Sequence, residues 1–126
     1  MTKKKILIID DEEALTHLVK MNLEATGNYE VMAENRGANG LADIKSFKPD
    51  LVLLDIIMPE IDGSDVASQI MADPETSGTP IVFLTAIIRK EEAAASKGVI
   101  SGYPFIAKSV SIKELIECIE KNARRQ

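Results

Sequence analysis

Residues 51–63 read LVLLDIIMPEIDG, and the fold turns on how this stretch is read. Four apolar residues, Leu51 to Leu54, run directly into Asp55. No polar residue alternates with them, so the segment predicts a strand covered on both faces, as in a parallel sheet. Three more apolar residues follow Asp55, then Pro59 and the turn Asp62-Gly63. Open parallel sheets bind their ligands at the carboxyl ends of the strands. Asp55 therefore stands where an α/β protein does its chemistry. Taken alone it is equally an ordinary strand-ending carboxylate or a helix cap, and the rest of the chain has to decide.

The same pattern repeats on either side. Lys5–Ile9 is an apolar strand that ends at Asp10-Asp11-Glu12-Glu13. A helix follows with Leu15, Leu18, Val19 and Leu23 inward, and Gly27 closes it. Tyr29–Ala33 alternates partly and predicts a more exposed strand. Asn35-Arg36-Gly37 turns into a second helix with Ala38, Leu41, Ala42 and Ile44 inward, broken at Lys48-Pro49-Asp50. Beyond Asp55, a third helix turns Val66, Ala67 and Ile70 inward, and a breaker-rich loop spans Asp73 to Pro80. Ile81–Leu84 is a further apolar strand ending at Thr85-Ala86. An alanine-rich helix covers Glu91–Lys97 and closes at Gly98. Tyr103–Ala107 is the last strand and ends at Lys108. Ser111, with Glu114 at capping-box spacing, starts a final helix that buries Ile112, Leu115, Ile116 and Ile119. Five strands alternating with five helices predict a doubly wound α/β domain with a parallel sheet and helices on both faces.

Composition narrows the function classes. The 126 residues suffice for one domain, taken as 1–126 with a core of about 4–123. Lys and Arg number 15 against 20 Asp and Glu, a formal charge of −5. Direct nucleic-acid binding needs a clustered basic face, and the only basic runs are Lys3-Lys4-Lys5 and Arg124-Arg125. The single cysteine, Cys118, excludes an intramolecular disulfide and fits a reducing, cytoplasmic setting. Neither a membrane-spanning stretch nor a signal peptide is present in the sequence. His17 reads as an exposed residue of the first helix, Cys118 as a half-buried packing residue.

In a parallel sheet the strand ends point the same way, so Asp10, Asp11, Asp55, Thr85 and Lys108 are expected in one cleft. Three neighbouring carboxylates repel one another and would push at least one pKa upward. A divalent cation relieves this, and Mg²⁺ prefers oxygen ligands, takes one or two carboxylates and keeps several waters. Asp11 and Asp55 are the expected direct ligands, Asp10 acts through water, and the backbone carbonyl of Ile57 is a further candidate. Such a cleft suits phosphoryl transfer. The Asp55 carboxylate can attack phosphorus. The metal and Lys108 can neutralise the equatorial oxygens. The Thr85 hydroxyl can donate to one of them, and small Ala86 leaves room.

With these residues in place the chain resembles a response-regulator receiver domain of two-component signalling, of the chemotaxis-regulator type, over essentially its whole length. The resemblance rests on Asp10-Asp11 after the first strand, Asp55 followed by Met58-Pro59 and Asp62-Gly63, Leu84-Thr85-Ala86, and Lys108 after the last strand. The loop Asp73-Pro74-Glu75-Thr76 is also familiar in these domains. The resemblance implies the flavodoxin-like strand order 2-1-3-4-5. It implies that Asp55 is phosphorylated from a phosphohistidine of a sensor kinase or histidine phosphotransfer protein, with Mg²⁺ as cofactor. It further implies a switch in which Thr85 moves and an aromatic residue, here Phe105, turns inward. The output face would be the fourth helix, the fifth strand and the last helix. No output domain is expected after the last helix, so the expected output is protein–protein contact or onward phosphotransfer, or the chain is a receiver excised from a larger protein.

Two positions depart from the family. Ser109 replaces the usual proline after the lysine, which follows a cis peptide. A non-proline cis bond costs about 3 kcal/mol, so a trans bond with a reshaped loop is expected here. The switch aromatic is Phe105 in place of the commoner tyrosine, so its balance rests on burial. Ile57 and Ile87 stand two residues beyond Asp55 and Thr85 and cannot orient a water, which implies slow loss of the phosphoryl group. Other readings fit less well. A phosphohydrolase would carry an acid where Ile57 stands. A flavin carrier would need a phosphate-binding loop where Asp10-Asp11-Glu12-Glu13 stands. A degenerate partner-binding receiver would not need the full acidic set with Thr85 and Lys108.

Overall fold

The computed structural model describes residues 2–86, 99–100 and 102–124. The expected helix over Glu91–Lys97, its closing Gly98, and Ile87 lie outside them. The described elements are β1 (Lys4–Ile9), α1 (Glu13–Ala25), β2 (Tyr29–Glu34), a 3-10 turn (Gly37–Asn39), α2 (Gly40–Phe47), β3 (Leu51–Asp55), α3 (Gly63–Ala72), β4 (Ile81–Thr85), β5 (Val99–Ile100), β6 (Tyr103–Ala107) and α4 (Ile112–Asn122). The five long strands run parallel in the order β2-β1-β3-β4-β6, which is the expected 2-1-3-4-5 arrangement. The two-residue β5, which the sequence did not suggest, pairs antiparallel with the edge of β6. Gly102 supplies the tight turn between them at φ +84.

The unbroken apolar runs are explained by what covers them. Ile6, Ile8, Leu51, Leu53, Val82 and Leu84 face Leu23, Leu115 and Ile119 of α1 and α4. Leu7, Ile9, Val52, Leu54, Ile81 and Phe83 face Ile44, Val66, Ala67 and Ile70 of α2 and α3. Each such side chain contributes about 1.5–3 kcal/mol by leaving water, which is why both faces are apolar at once. The register pairs Ile9 with Leu54, Asp55 with Leu84, and Thr85 with Ala107. The carboxyl ends of the strands are thereby aligned.

Several helical faces differ from expectation. On α2 it is Gly37 and Gly40 that turn inward, while Ala38 and Ala42 are exposed. A Cβ at Gly37 would lie 2.7 Å from Ile61 Cγ2, and one at Gly40 would lie 3.0 Å from Ile9 Cδ1. Gly37 of the 3-10 turn lies against Ile61, Met58 and Val66, and Gly40 of α2 against Ile9 and Val66, too closely for alanines to take those places. Leu18 of α1 is 55 % exposed, while Thr16 is buried and its hydroxyl donates to Glu13 O at 3.1 Å. Ile112 lies at the exposed start of α4, while Leu115 and Ile119 are buried. His17 is exposed and Cys118 half-buried. Ser111 Oγ accepts the Glu114 N–H at 3.1 Å, and its hydroxyl meets the Glu114 carboxylate at 3.3 Å.

At the pole opposite the strand ends, Asp50 ties three segments together. Its N–H donates to Lys5 O at 2.7 Å, its carboxylate accepts the Lys5 N–H at 2.9 Å, and its carbonyl accepts the Arg124 N–H at 2.9 Å.

A second carboxyl pair lies where β2 meets α2. Burial, a hydrogen bond shared with Glu34 and the charge of Glu34 push the Asp43 carboxyl from the ordinary 3.8 up to about 7. Burial alone would raise Glu34 as well, but bonds from Asp43, the Arg36 N–H (3.0 Å) and the Asn39 amide (3.2 Å) hold it below the usual range. Folded Asp43 thus keeps a proton that the unfolded chain has lost. Its contribution is complete below about pH 4, declines as pH rises, and is gone once pH passes about 7. Glu34 acts in the opposite sense at lower pH. We expect Asp43→Asn to flatten the fall in melting temperature between about pH 5 and about pH 8. Thermal unfolding across that range checks this, and an unchanged slope would refute it.

Candidate functional site

The aligned strand ends bring the predicted residues together. Asp10 follows β1 directly and is fully buried; its N–H continues the ladder to Glu34 O at 3.0 Å. Asp55 ends β3 and is 4 % exposed. Asp11 is exposed at the surface of the same cluster, and one oxygen from each of Asp10, Asp11 and Asp55 lies within 4.8 Å of the others. Thr85 ends β4, half-buried, and its carbonyl accepts the Lys108 N–H at 2.8 Å. The sheet itself therefore sets the position of the lysine backbone. Among the described residues no peptide bond is cis, so Ser109 follows Lys108 through a trans bond.

Asp11, Asp55, Ile57, Thr85, Ala86 and Lys108 line a cavity of about 310 Å³. Ile57, 76 % exposed, forms part of its rim. Asp10 reaches the cluster from beneath through Lys108. Phe105 does not line the cavity; it is half-buried on β6 opposite Phe83, packed with the α2 and α3 side of the core. Tyr103 stacks edge-on against Phe83, with centroids 5.5 Å apart and rings at 87°.

The electrostatics centre on Lys108. Its ammonium lies 2.8 Å from Asp10 Oδ2, 2.8 Å from Glu12 Oε1 and 3.3 Å from Asp55 Oδ2. Burial alone would lower its pKa, but the close contacts with the Asp10 and Glu12 carboxylates and the charges of Asp10 and Asp55 hold it above the ordinary lysine value. Burial raises the Asp55 carboxyl first, and the charge of Asp10 adds to it. Lys108 opposes both, and the carboxyl stands at about 7. The contact between Asp10 Oδ2 and Lys108 lies off the direction of a hydrogen bond, so among the described residues this fully buried oxygen has no hydrogen-bond donor. A buried carboxylate oxygen without a donor, beside two further carboxylates, fits a hard divalent cation with oxygen ligands, and the acidic cluster is compatible with Mg²⁺.

Two residues that the sequence marks only as turn formers support the site. The Asn35 side-chain amide donates to Asp10 O at 2.9 Å and to Thr16 Oγ1 at 3.0 Å, fastening the acidic loop to α1. Gly63 closes the loop after Asp55 by donating its N–H to Ile56 O at 2.7 Å. Glu12 is a third support that was read only as part of an acidic run.

The comparisons with known proteins agree with this geometry. Residues 6–120 match the family model described as the response regulator receiver domain. The DNA-binding dual master transcriptional regulator RpaA of Synechocystis is 33% identical over 122 residues, covering 96% of this chain and 49% of that protein. The phosphate regulon transcriptional regulatory protein PhoB of Rhizobium meliloti is 35% identical over 122 residues, covering 96% of this chain and 52% of that protein. The chain thus spans about half the length of these relatives. Among solved structures, a CheY-like response regulator receiver domain protein from Methanospirillum hungatei superposes with a TM-score of 0.78 at 29% identity, over 95% of this chain and 93% of the other. The Vibrio cholerae chemotaxis protein CheY4 shares the fold at a TM-score of 0.80 and 23% identity, over 95% and 98% of the two chains.

A side chain at Gly63 would collide with the backbone that carries Asp55. Its Cβ would overlap the Asp55 carbonyl oxygen and lie 2.9 Å from Ile56 Cα. Gly63→Ala should cost about 1–3 kcal/mol of stability, as overpacking against rigid backbone does. Gly78→Ala, where the nearest atom is an Arg124 guanidinium nitrogen at 3.7 Å, should be close to neutral. Denaturant unfolding of both variants measures the difference, and equal stabilities would contradict it.

Proposed function

Because the chain belongs to the response regulator receiver domain family of two-component systems, we propose that it is a signalling phosphoacceptor in which Asp55 takes a phosphoryl group from a phosphohistidine. The donor is a sensor kinase or a histidine phosphotransfer protein. A carboxylate oxygen of Asp55 attacks phosphorus, the phosphorus–nitrogen bond to the imidazole breaks with its electron pair leaving to nitrogen, and an acyl phosphate remains on Asp55. The observation that carries this reading is the position of one buried carboxylate, Asp55, beside Asp10 and Lys108 and within one cavity with Asp11 and Thr85.

Each residue has a role that its chemistry allows. The Lys108 ammonium neutralises charge on the transferring oxygens, and the Thr85 hydroxyl donates to one of them in the product. Asp11 and Asp55 would hold Mg²⁺ directly and Asp10 through water, and the Ile57 carbonyl is a further candidate ligand. When bound, the ion supplies charge neutralisation for the carboxylates and for the phosphoryl oxygens. The protein catalyses only its own phosphorylation and slow dephosphorylation, as one receiver unit with a core of about 4–123. Thr85 and Phe105 carry the switch, and its readout is a protein partner on the face formed by β6, α4 and the stretch Glu91–Lys97, which is expected as a helix and lies outside the described residues. The acidic balance of −5 supports a protein partner in preference to nucleic acid. Among the described residues no helix is long and apolar enough to cross a membrane, and the single cysteine supports a cytoplasmic setting.

Incubation with a small phosphodonor and Mg²⁺ should add one phosphoryl mass to the intact chain, and Asp55→Asn should abolish the addition. No added mass, or an addition that survives the substitution, would overturn the reading. Exposed Ile57 at the rim offers water no hydrogen-bonding partner, and Ile87 is its counterpart outside the described residues. Polar residues at both positions should speed the decay of phospho-Asp55 by about a hundredfold, the lower end of what a positioned acid–base group contributes. Decay at the wild-type rate would show that the isoleucines do not set the lifetime.

A further inference from the structure

Glu12 occupies the N-cap of α1, where short polar side chains normally bond to the first free N–H groups of the helix. Its carboxylate makes no such bond. Its backbone is nevertheless firmly held. The Glu12 N–H donates to Asp10 Oδ1 at 2.9 Å, and its carbonyl accepts from Leu15 and Thr16, both at 3.1 Å. The side chain crosses instead to the far end of the sequence and accepts a hydrogen bond from the Lys108 ammonium at 2.8 Å. Among the described residues this is the one well-directed side-chain hydrogen bond that Lys108 makes. Asp10 lies as near but off-angle, and Asp55 lies further away at 3.3 Å.

An ammonium on a four-carbon stem has three donors and many rotamers, and a point charge has no preferred direction of its own. Something has to fix where it points. We propose that Glu12 is the positioning residue for Lys108: it takes one N–H and so holds the other two towards Asp10 and the phosphoryl position on Asp55. The Lys108 side chain is 11 % exposed against 58 % for Glu12, so one fixed and sheltered partner is tethered by one that reaches from the rim. An exposed pair is ordinarily worth little, because two mobile chains must be ordered to make it. Here both backbones are already fixed, by the cap interactions on one side and by the Lys108–Thr85 ladder bond on the other.

The test has two arms on the full chain. In the first, ¹⁵N-labelled protein without metal or phosphodonor is examined by lysine side-chain NMR. Glu12→Ala should speed hydrogen exchange of the Lys108 ammonium at least about fivefold, Glu12→Gln should keep much of the protection through its amide oxygen, and Glu13→Ala should leave it unchanged. Glu13 is exposed, carries the same charge and makes no ion pair with Lys108. In the second, phosphorylation by acetyl phosphate with Mg²⁺ is followed by intact mass over a range of donor concentrations. Glu12→Ala should lower the maximal rate about tenfold without raising the half-saturating donor concentration, and Glu12→Gln should restore most of it, because misplaced catalytic groups act on the chemical step. A maximal rate that stays constant or rises, or an unchanged Lys108 exchange rate, would overturn the proposal. The second arm rests on Asp55 being the phosphoacceptor; if wild type gains no phosphoryl mass, that reading fails while the first arm still decides the role of Glu12.

Discussion

Two carboxylates leave water at neighbouring strand ends, and one ammonium accompanies them. Asp10 is fully buried and Asp55 nearly so. An isolated buried charge costs several kcal/mol, and two of like sign cost more. Lys108 reaches both from β6, across the ends of β3 and β4. Much else in the upper half of the molecule serves this arrangement. The parallel register aligns the strand ends, the Thr85 carbonyl fixes the start of the lysine, and Asn35 fixes the loop that carries Asp10. The compensation is incomplete, since the Asp55 carboxyl still stands at about 7. A divalent cation held by the acidic cluster would relieve the remaining repulsion.

The legible part of the fold was the part governed by a strong period. Three wholly apolar runs, each ending in a polar residue, specified the parallel sheet and placed Asp10, Asp55 and Thr85 at one end of it. The resemblance supplied the strand order, and the register then determined which groups meet. The misassigned residues share a cause. Ala38, Ala42, Leu18 and Ile112 were placed inward by helical spacing, but spacing says nothing of how close a helix lies to its sheet. Gly40 sets that distance for α2, and the buried Thr16 of α1 has hydroxyl partners in Glu13 and Asn35. The short β5 escaped because two residues carry no period.

In the site the illegible residues were those whose role depends on a partner far along the chain. Asn35 read as a turn former, yet its amide joins β2 to the acidic loop 25 residues earlier. Glu12 read as one of four adjacent acids, and only the 96-residue separation from Lys108 sets it apart from Glu13. Strand ends announce themselves through local composition. The side chains that orient them do not, because an amide or a carboxylate looks the same whether it faces solvent or a lysine.

Asp50 has a topological consequence. The start of β1 and the chain leaving α4 are both bonded to this one residue, at the pole furthest from Asp55. Residues 5 and 124 are therefore near neighbours in space. A short linker could join them without crossing the sheet, and a new opening in the exposed loop around Gly78 would fall well away from the acidic cluster. The order in which the chain visits its strands would change and the arrangement of groups at their ends would not. In that sense the chemistry belongs to the assembled sheet rather than to any reading direction along the chain.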